Sequence, residues 1–307
     1  MVVISSARRA FLSAVSAVTW PRRATESDEP IRSELFSADR LEQHAESLAA
    51  AQPVAEAGWA YYDLAGRARA NGEVVLECYN AIASATRDKR AITPAAEWLV
   101  DNFHVIDEQL ASIARECTPR FSRSLPVLTD GPLRGRPQVY GMVWSFVAHT
   151  DSRFDAELLR RFTEAYQRVR PLTIRELWAI PSILRCVLIE NLRRLGVRIV
   201  NAQMGRREAD ILADDLQARA TLEPLSLDDT LRSIADRPLP RGFVVQLVQR
   251  LRYQHTNLAP ILVQLNKRLA NEGMTWERLI QIEHASQTSA NMTVRNLVTS
   301  MRSMTAF

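Results

Sequence analysis

Apolar residues recur at helical intervals along nearly the whole chain, and the period-two alternation of strands is scarce. The clearest run covers residues 92–117. Leu99, Phe103, Ile106, Leu110, Ile113 and Cys117 follow one another at steps of four and three, which gathers them on one face of a helix. Thr93 is placed to cap it, and Pro94 stands at the first helical position, where its missing N–H costs nothing. Glu97, Asp101, His104 and Glu108 share a face roughly opposite, so one side is apolar and the other sets three carboxylates around a histidine.

The same reading places a helix over 31–52, with Leu35, Leu41, Ala45 and Leu48 as its apolar line and Pro53 as its stop. A helical hairpin is expected over 59–88, broken at Asn71-Gly72, before an exposed turn at 87–90. A nearly all-apolar helix, 140–149, reads as central. The next, 155–169, is capped by Asp155. Thr173 and Glu176 match the reciprocal capping pattern and open a helix that runs to about 218, kinked at Pro181 and breaking near Gly196 and Gly205. Helices follow at 226–236, 243–253 and 258–271, and a last one is capped by Thr275 and continues through 292–304. Between 118 and 137 lie four prolines and two glycines, a long connection that is either functional or wraps the body of the domain. The expected fold is therefore all-α: a multi-helix bundle with a long Pro/Gly loop near 118–137. Residues 1–29 read as a flexible or interfacial leader. Residues 30–307 read as a helical domain, single or divided into 30–220 and 221–307.

Composition narrows the function classes. The 307 residues are 47% hydrophobic and 24% charged, ordinary for a globular chain. A net charge of +4 with both signs interspersed does not make the basic face of a nucleic-acid binder. Cys78, Cys117 and Cys186 are odd in number and far apart in sequence. They form neither a disulfide framework nor a CxxC pair, which points to a reducing compartment. No stretch approaches the ~20 apolar residues that cross a bilayer. Arg8, Arg9, Arg22 and Arg23 give the leader a basic character, a weak basis for contact with anionic lipid.

Two groups of side chains have chemical capacity. Asp101 and His104 stand at the i, i+3 spacing that helical carboxylate–histidine metal sites use, flanked by Glu97 and Glu108. No second helix repeats the motif, so a solvated face is the stronger reading and no metal is assigned. His149, Asp151 and Arg153 form a polar cluster at a helix end, suited either to a site or to joining two successive helices. Glu190, inside an apolar run and flanked by Arg185, Arg193 and Arg194, is expected to be a buried, arginine-paired carboxylate. There is no glycine-rich phosphate loop, no GxSxG, no HExxH, no zinc-ligand spacing and no Asp-x-Asp pair. No catalytic residue and no cofactor is assigned.

Several stretches resemble, in order, the N-terminal region of the bacterial cyclic β-1,2-glucan synthases. They are SELFSADRLEQHAESLAAAQ from Ser33, AITPAAEWLVDNFHVIDEQL from Ala91, VYGMVWSFVAHTDSRFDAELLRRF from Val139, PLTIRELWAIPSILRCVLIENLRRL from Pro171 and MTVRNLVTSMRSM from Met292. The resemblance implies a large multidomain inner-membrane glycosyltransferase that polymerises glucose from UDP-glucose and cyclises the product. The motifs of its transferase and phosphorylase-like modules are absent from these residues, so no catalytic residue carries over. Two functions follow as expectations. One is a non-catalytic helical domain at the cytoplasmic face of the inner membrane. It would pack on and position or regulate the transferase module of the same or a companion polypeptide. It would meet the membrane, glucan and UDP-glucose only through that partner, and its sign would be an exposed apolar patch, particularly near 292–307. The other is a carbohydrate or nucleotide-sugar site on the domain itself. It would be built from Glu97, Asp101, His104, Glu108, His149, Asp151 and Arg153 with Trp98 and Trp144 as stacking surfaces, converging on one concave pocket.

Overall fold

The computed structural model describes residues 29–220, 240–252 and 258–305. Within them the fold is all-α, with eleven helices and one two-stranded sheet. The leader and the 226–236 helix lie outside the described residues, apart from Glu29. Among the described residues two compact units are distinguished, one made of residues up to 197 together with 290–305, the other of residues 198–289.

The first unit opens with an extended segment, and α1 (Ala38–Ala51) begins only at its Ser37 cap. The helix expected from residue 31 is therefore shorter, and Leu35 stays outside it, exposed. α1 packs on α7 (Ala156–Val169), which Asp155 caps through the Leu158 N–H. Leu41, Ala45 and Ala49 are buried on α1, and Phe162, Ala165 and Tyr166 on α7. Arg161 reaches Glu42 and Asp39 across the pair, and Arg168 reaches Glu46 and Glu42. The Arg161 and Arg168 hydrogen bonds hold the Glu42 carboxyl below the usual carboxylate range.

α2 (Leu64–Arg87) runs unbroken where a hairpin was expected. Asn71 and Gly72 are buried within it. Gly72 is glycine because α4 (Phe103–Glu116) lies close: a Cβ there would stand 2.6 Å from Leu110 Cδ1. The residue marks a close helix approach rather than a turn.

The anchor run 92–117 is two helices. α3 (Pro94–Asp101) starts at its Thr93 cap, as expected, and ends at Asn102, which also begins α4. The Asn102 side-chain amide donates to the Trp98 carbonyl at 2.8 Å, a local bond that marks the break between the two helices. The apolar face still points inward, with Leu99, Ile106, Ile113 and Cys117 buried.

The Pro/Gly loop contains a short helix, α5 (Pro119–Arg123), and strand β2 (Val127–Leu128). β2 pairs antiparallel with β1 (Val54–Ala55), Val54 opposite Leu128. Gly131 and Gly135, both at φ +79°, permit the tight return that lets Gly135 donate to the Leu128 carbonyl. The loop thus pairs with the segment that follows α1. It leads into α6 (Gln138–His149), buried along most of its length as its composition required.

The reciprocal cap is present: the Thr173 N–H donates to Glu176 Oε2 at 2.8 Å, and the Glu176 N–H donates to Thr173 Oγ1 at 3.3 Å. It opens α8 (Ile174–Ala220), one helix of 47 residues, assigned continuously through Pro181, Gly196 and Gly205. The expected breaks are instead close contacts. A Cβ on Gly196 would lie 3.3 Å from Cys78 Sγ, and one on Gly205 would lie 3.2 Å from the Phe243 backbone nitrogen.

In the second unit, Ala209, Ala213 and Leu216 of α8 share a core with α9 (Arg241–Leu251), α10 (Ala259–Asn271) and Leu279 of α11 (Trp276–Thr305). Gln246 and Arg250 of α9 both donate to Asp210 Oδ1, at 2.8 and 3.0 Å. No described helix is long and apolar enough to cross a membrane.

Candidate functional site

The seven residues singled out from the sequence fall into two places. Glu97 and Asp101 are on α3, His104 and Glu108 on α4, and all four are exposed. The turn at Asn102 falls inside the Asp101–His104 spacing, so the regular helical step that put these four on one face does not run through. Among the described residues no group of three or more His, Cys, Asp or Glu is arranged to hold a metal ion. Trp98, proposed as a stacking surface, lies 5.9 Å under the Arg295 guanidinium.

His149, Asp151 and Arg153 lie where α6 ends. His149 Nδ1 is 2.7 Å from the Glu34 carbonyl, which can only accept, so that nitrogen carries the proton. The His149 ring stacks on Phe36 at 3.9 Å and meets His44 edge-on at 4.6 Å. His44 in turn hydrogen-bonds Ser145 Oγ at 2.7 Å. Burial, then the neighbouring His149 and Arg40, push the His44 pKa down. These contacts, with Ser33 N–H donating to the Ala148 carbonyl at 2.9 Å, tie the extended segment before α1 to the end of α6.

Asp151 and Ser152 are consecutive non-glycine residues in the left-handed region, at φ +50° and +62°. Such strain persists only where the surroundings determine it. Here they do. Asp151 accepts from Thr293 Oγ1 at 2.7 Å and from Asn296 Nδ2 at 3.3 Å, and pairs with Arg32 at 3.4 Å. The Ser152 carbonyl accepts from Ser300 Oγ at 2.8 Å, and its Oγ accepts from Asn191 at 2.8 Å. Asn191 also holds both backbone groups of Ile31. The turn thus joins the N-terminal segment, α8 and the last part of α11. Arg153 is exposed.

The expected Glu190 pair is a larger network. Glu190 is 1% exposed. Arg67 donates to both its oxygens at 3.0 and 3.1 Å, Asn71 donates at 2.6 Å, and Arg194 Nε donates at 3.0 Å. Burial raises the cost of the charge, but the Arg67 and Arg194 guanidiniums, the Asn71 amide and Arg193 outweigh it, and the carboxyl titrates below its usual range. Arg194 lies 5.0 Å over Trp144, so that ring faces a cation already engaged in the network. Sequence spacing could not supply Arg67 and Asn71, which come from α2.

A pocket of about 150 Å³ in the second unit is lined by Val248, Arg252, Leu262, Leu265, Asn266, Leu269 and Trp276, with Arg252 over Trp276 at 4.4 Å. None of the seven candidate residues lines it.

Met292 is exposed, but Val294, Leu297, Val298, Met301 and Met304 after it are buried. On α8, by contrast, Trp178 is 76% exposed and Ile174 is 67% exposed, at i and i+4 on one face, with exposed Pro181 one turn on. The opposite face carries buried Ala179, Ile180, Ile183 and Leu184. The first turns of α8 are thus apolar on both sides, with one side bare. Counting α8 positions by face could have found this, because the outward positions hold Ile and Trp where a surface helix holds charge.

No family model matches the chain. It is 34% identical, over 286 residues, to the cyclic beta-(1,2)-glucan synthase NdvB of Rhizobium meliloti (strain 1021). The alignment covers 90% of this chain and 10% of that relative, at its N-terminal region. The chain is therefore similar to the N-terminal region of a cyclic β-(1,2)-glucan synthase and spans about a tenth of the length of the relative it matches.

Proposed function

We propose that this chain is a non-catalytic helical region of a cyclic β-(1,2)-glucan synthase. In this reading it packs on and positions the glucosyltransferase module that makes β-1,2-glucan from UDP-glucose, at the cytoplasmic face of the membrane. The bare Ile174–Trp178 face of α8 carries the reading. A Trp more than three-quarters exposed beside an Ile about two-thirds exposed is a costly arrangement for an isolated domain, and buried aromatics anchor protein interfaces. The relative is some ten times longer than the matched stretch, so most of such a polypeptide lies beyond it and supplies the occupant. The buried polar residues also support the reading, because Asp151, Asn191 and Glu190 are engaged in holding helices together.

The test is co-purification of residues 1–307 with a separately expressed transferase module. Retention of the module by wild type, lost with Trp178→Glu, supports the proposal. No retention by wild type overturns it. Glucan formation from UDP-glucose by the 307-residue chain alone contradicts its non-catalytic part.

A further inference from the structure

Two of the three cysteines that sequence separates are neighbours in the fold. Cys117 follows α4, its N–H donating to the Ile113 carbonyl at 2.8 Å. Cys186 lies on the buried face of α8. One carboxylate holds the two helices in register beside them. Glu116 Oε2 accepts from Ser182 Oγ at 2.5 Å and from Arg185 Nη1 at 2.9 Å, and Arg185 Nε also donates to Gln109 at 3.0 Å. Ser182 is one turn before Cys186 and Arg185 is adjacent to it, while Glu116 is adjacent to Cys117. The clamp thus brings the two cysteines together where α4 meets α8, and each thiol acts on the titration of the other.

We propose that Cys117 and Cys186 form a redox-active dithiol, a modification site that peroxide converts to an intramolecular disulfide. The pair is asymmetric. The Cys186 thiol lowers the Cys117 pKa against burial and the Glu116 charge, while Cys117, together with burial, pushes Cys186 up. Cys117 is therefore the thiolate that reacts first. Its sulfur attacks a peroxide oxygen, the O–O bond breaks, and Cys117 becomes a sulfenic acid as hydroxide leaves. Cys186 then gives up its proton, and its sulfur attacks the sulfenic sulfur. The S–S bond forms, the S–O bond breaks, and water leaves. Two thiols and one hydrogen peroxide yield one disulfide and two waters. Both thiols are buried, so attack waits on local opening. Cys117 is placed for this at a helix end, where such opening is easiest. A transient disulfide of this kind fits a reducing compartment, which disfavours permanent ones. Cys78 is an internal control: burial pushes its thiol up to about 12, and its neighbours are Glu77 and Arg193 rather than a second thiol.

The test treats the reduced 307-residue chain with hydrogen peroxide, then alkylates free thiols and maps peptides by mass spectrometry. The expected result is a linked Cys117–Cys186 peptide, an alkylated Cys78, and full reversal by dithiothreitol. The oxidised chain should melt about 5 °C higher than the reduced chain, because the bridge restricts the unfolded state. Cys186→Ala should abolish both the link and the shift. Should that variant fail to fold, the peptide map of the wild type decides alone. Links between chains, a bridge to Cys78, over-oxidation of Cys117 without a bridge, or three thiols still free after hours of exposure would each overturn the proposal.

Discussion

Arg67 closes on Glu190 with two hydrogen bonds, 3.0 and 3.1 Å long, from a position 123 residues earlier in the chain. The carboxylate is buried and Arg193 and Arg194 share it, so its removal takes away the negative charge around which three guanidiniums gather. Glu190→Ala should cost roughly 3–5 kcal/mol in the first unit. Chemical denaturation checks this, with the midpoint falling and the slope unchanged.

The same network sets an acid limit. The Glu190 carboxyl titrates below the ordinary carboxylate value of 4.5, so its contribution is complete above that value and disappears as pH falls through the folded-state pKa. Thermal melts from about pH 6 down to about pH 3 should therefore show a steep loss of stability. Glu190→Gln, less stable at neutral pH, should show a shallower one.

His44 predicts a separate, milder dependence. Its pKa is depressed from 6.5 by burial, by His149 and by Arg40, whose guanidinium is itself paired with Glu34. The folded state resists protonation more than the unfolded state, so stability holds above about pH 6.5 and declines as pH falls from there toward the folded-state value. His44→Gln keeps a partner for Ser145 and should flatten the curve between about pH 7 and pH 5.

Two glycines should answer alanine differently. At Gly72 the added methyl meets the mobile end of the Leu110 side chain, and a helix interior gains about 1 kcal/mol from alanine. Gly72→Ala should be near neutral. At Gly242 the methyl would stand 2.9 Å from the Ala202 carbonyl oxygen, which is backbone and yields little. Gly242→Ala should destabilise the second unit by roughly 1–3 kcal/mol. Hydrogen exchange resolved by segment separates the two.

Four helix starts were legible because a cap is a local device, whereas the apolar spacing does not register the Ser37 cap and predicts the first helix from residue 31 instead of Ala38. Thr93, Asp155, Thr173 with Glu176, and Thr275 each bond within three residues of themselves. The misreadings share a different cause. Gly72, Gly196 and Gly205 look like punctuation along the chain, but each lies where another helix packs close. Asn102 bonds back to Trp98, a choice between continuing and turning that apolar spacing does not register. The role of the 149–153 cluster in joining the N-terminal segment to α11 depends on Thr293, Asn296 and Ser300, more than 140 positions away. The bare face of α8 was readable in principle, since Ile174 and Trp178 are one turn apart. The inward face of the same helix is even richer in apolar residues and masks that signal.

Trp178→Glu removes little from the folded chain itself, because the side chain is mostly in solvent. Stability should change by less than about 0.5 kcal/mol. That separates folding from docking and makes the variant a clean probe.

The most direct measurement is a titration of the purified transferase module against wild-type chain and Trp178→Glu. Wild type should bind with a dissociation constant near or below about 1 μM, and the variant at least tenfold more weakly. Equal binding by the two, or none by wild type, would contradict the assignment of this face of α8 to the synthase.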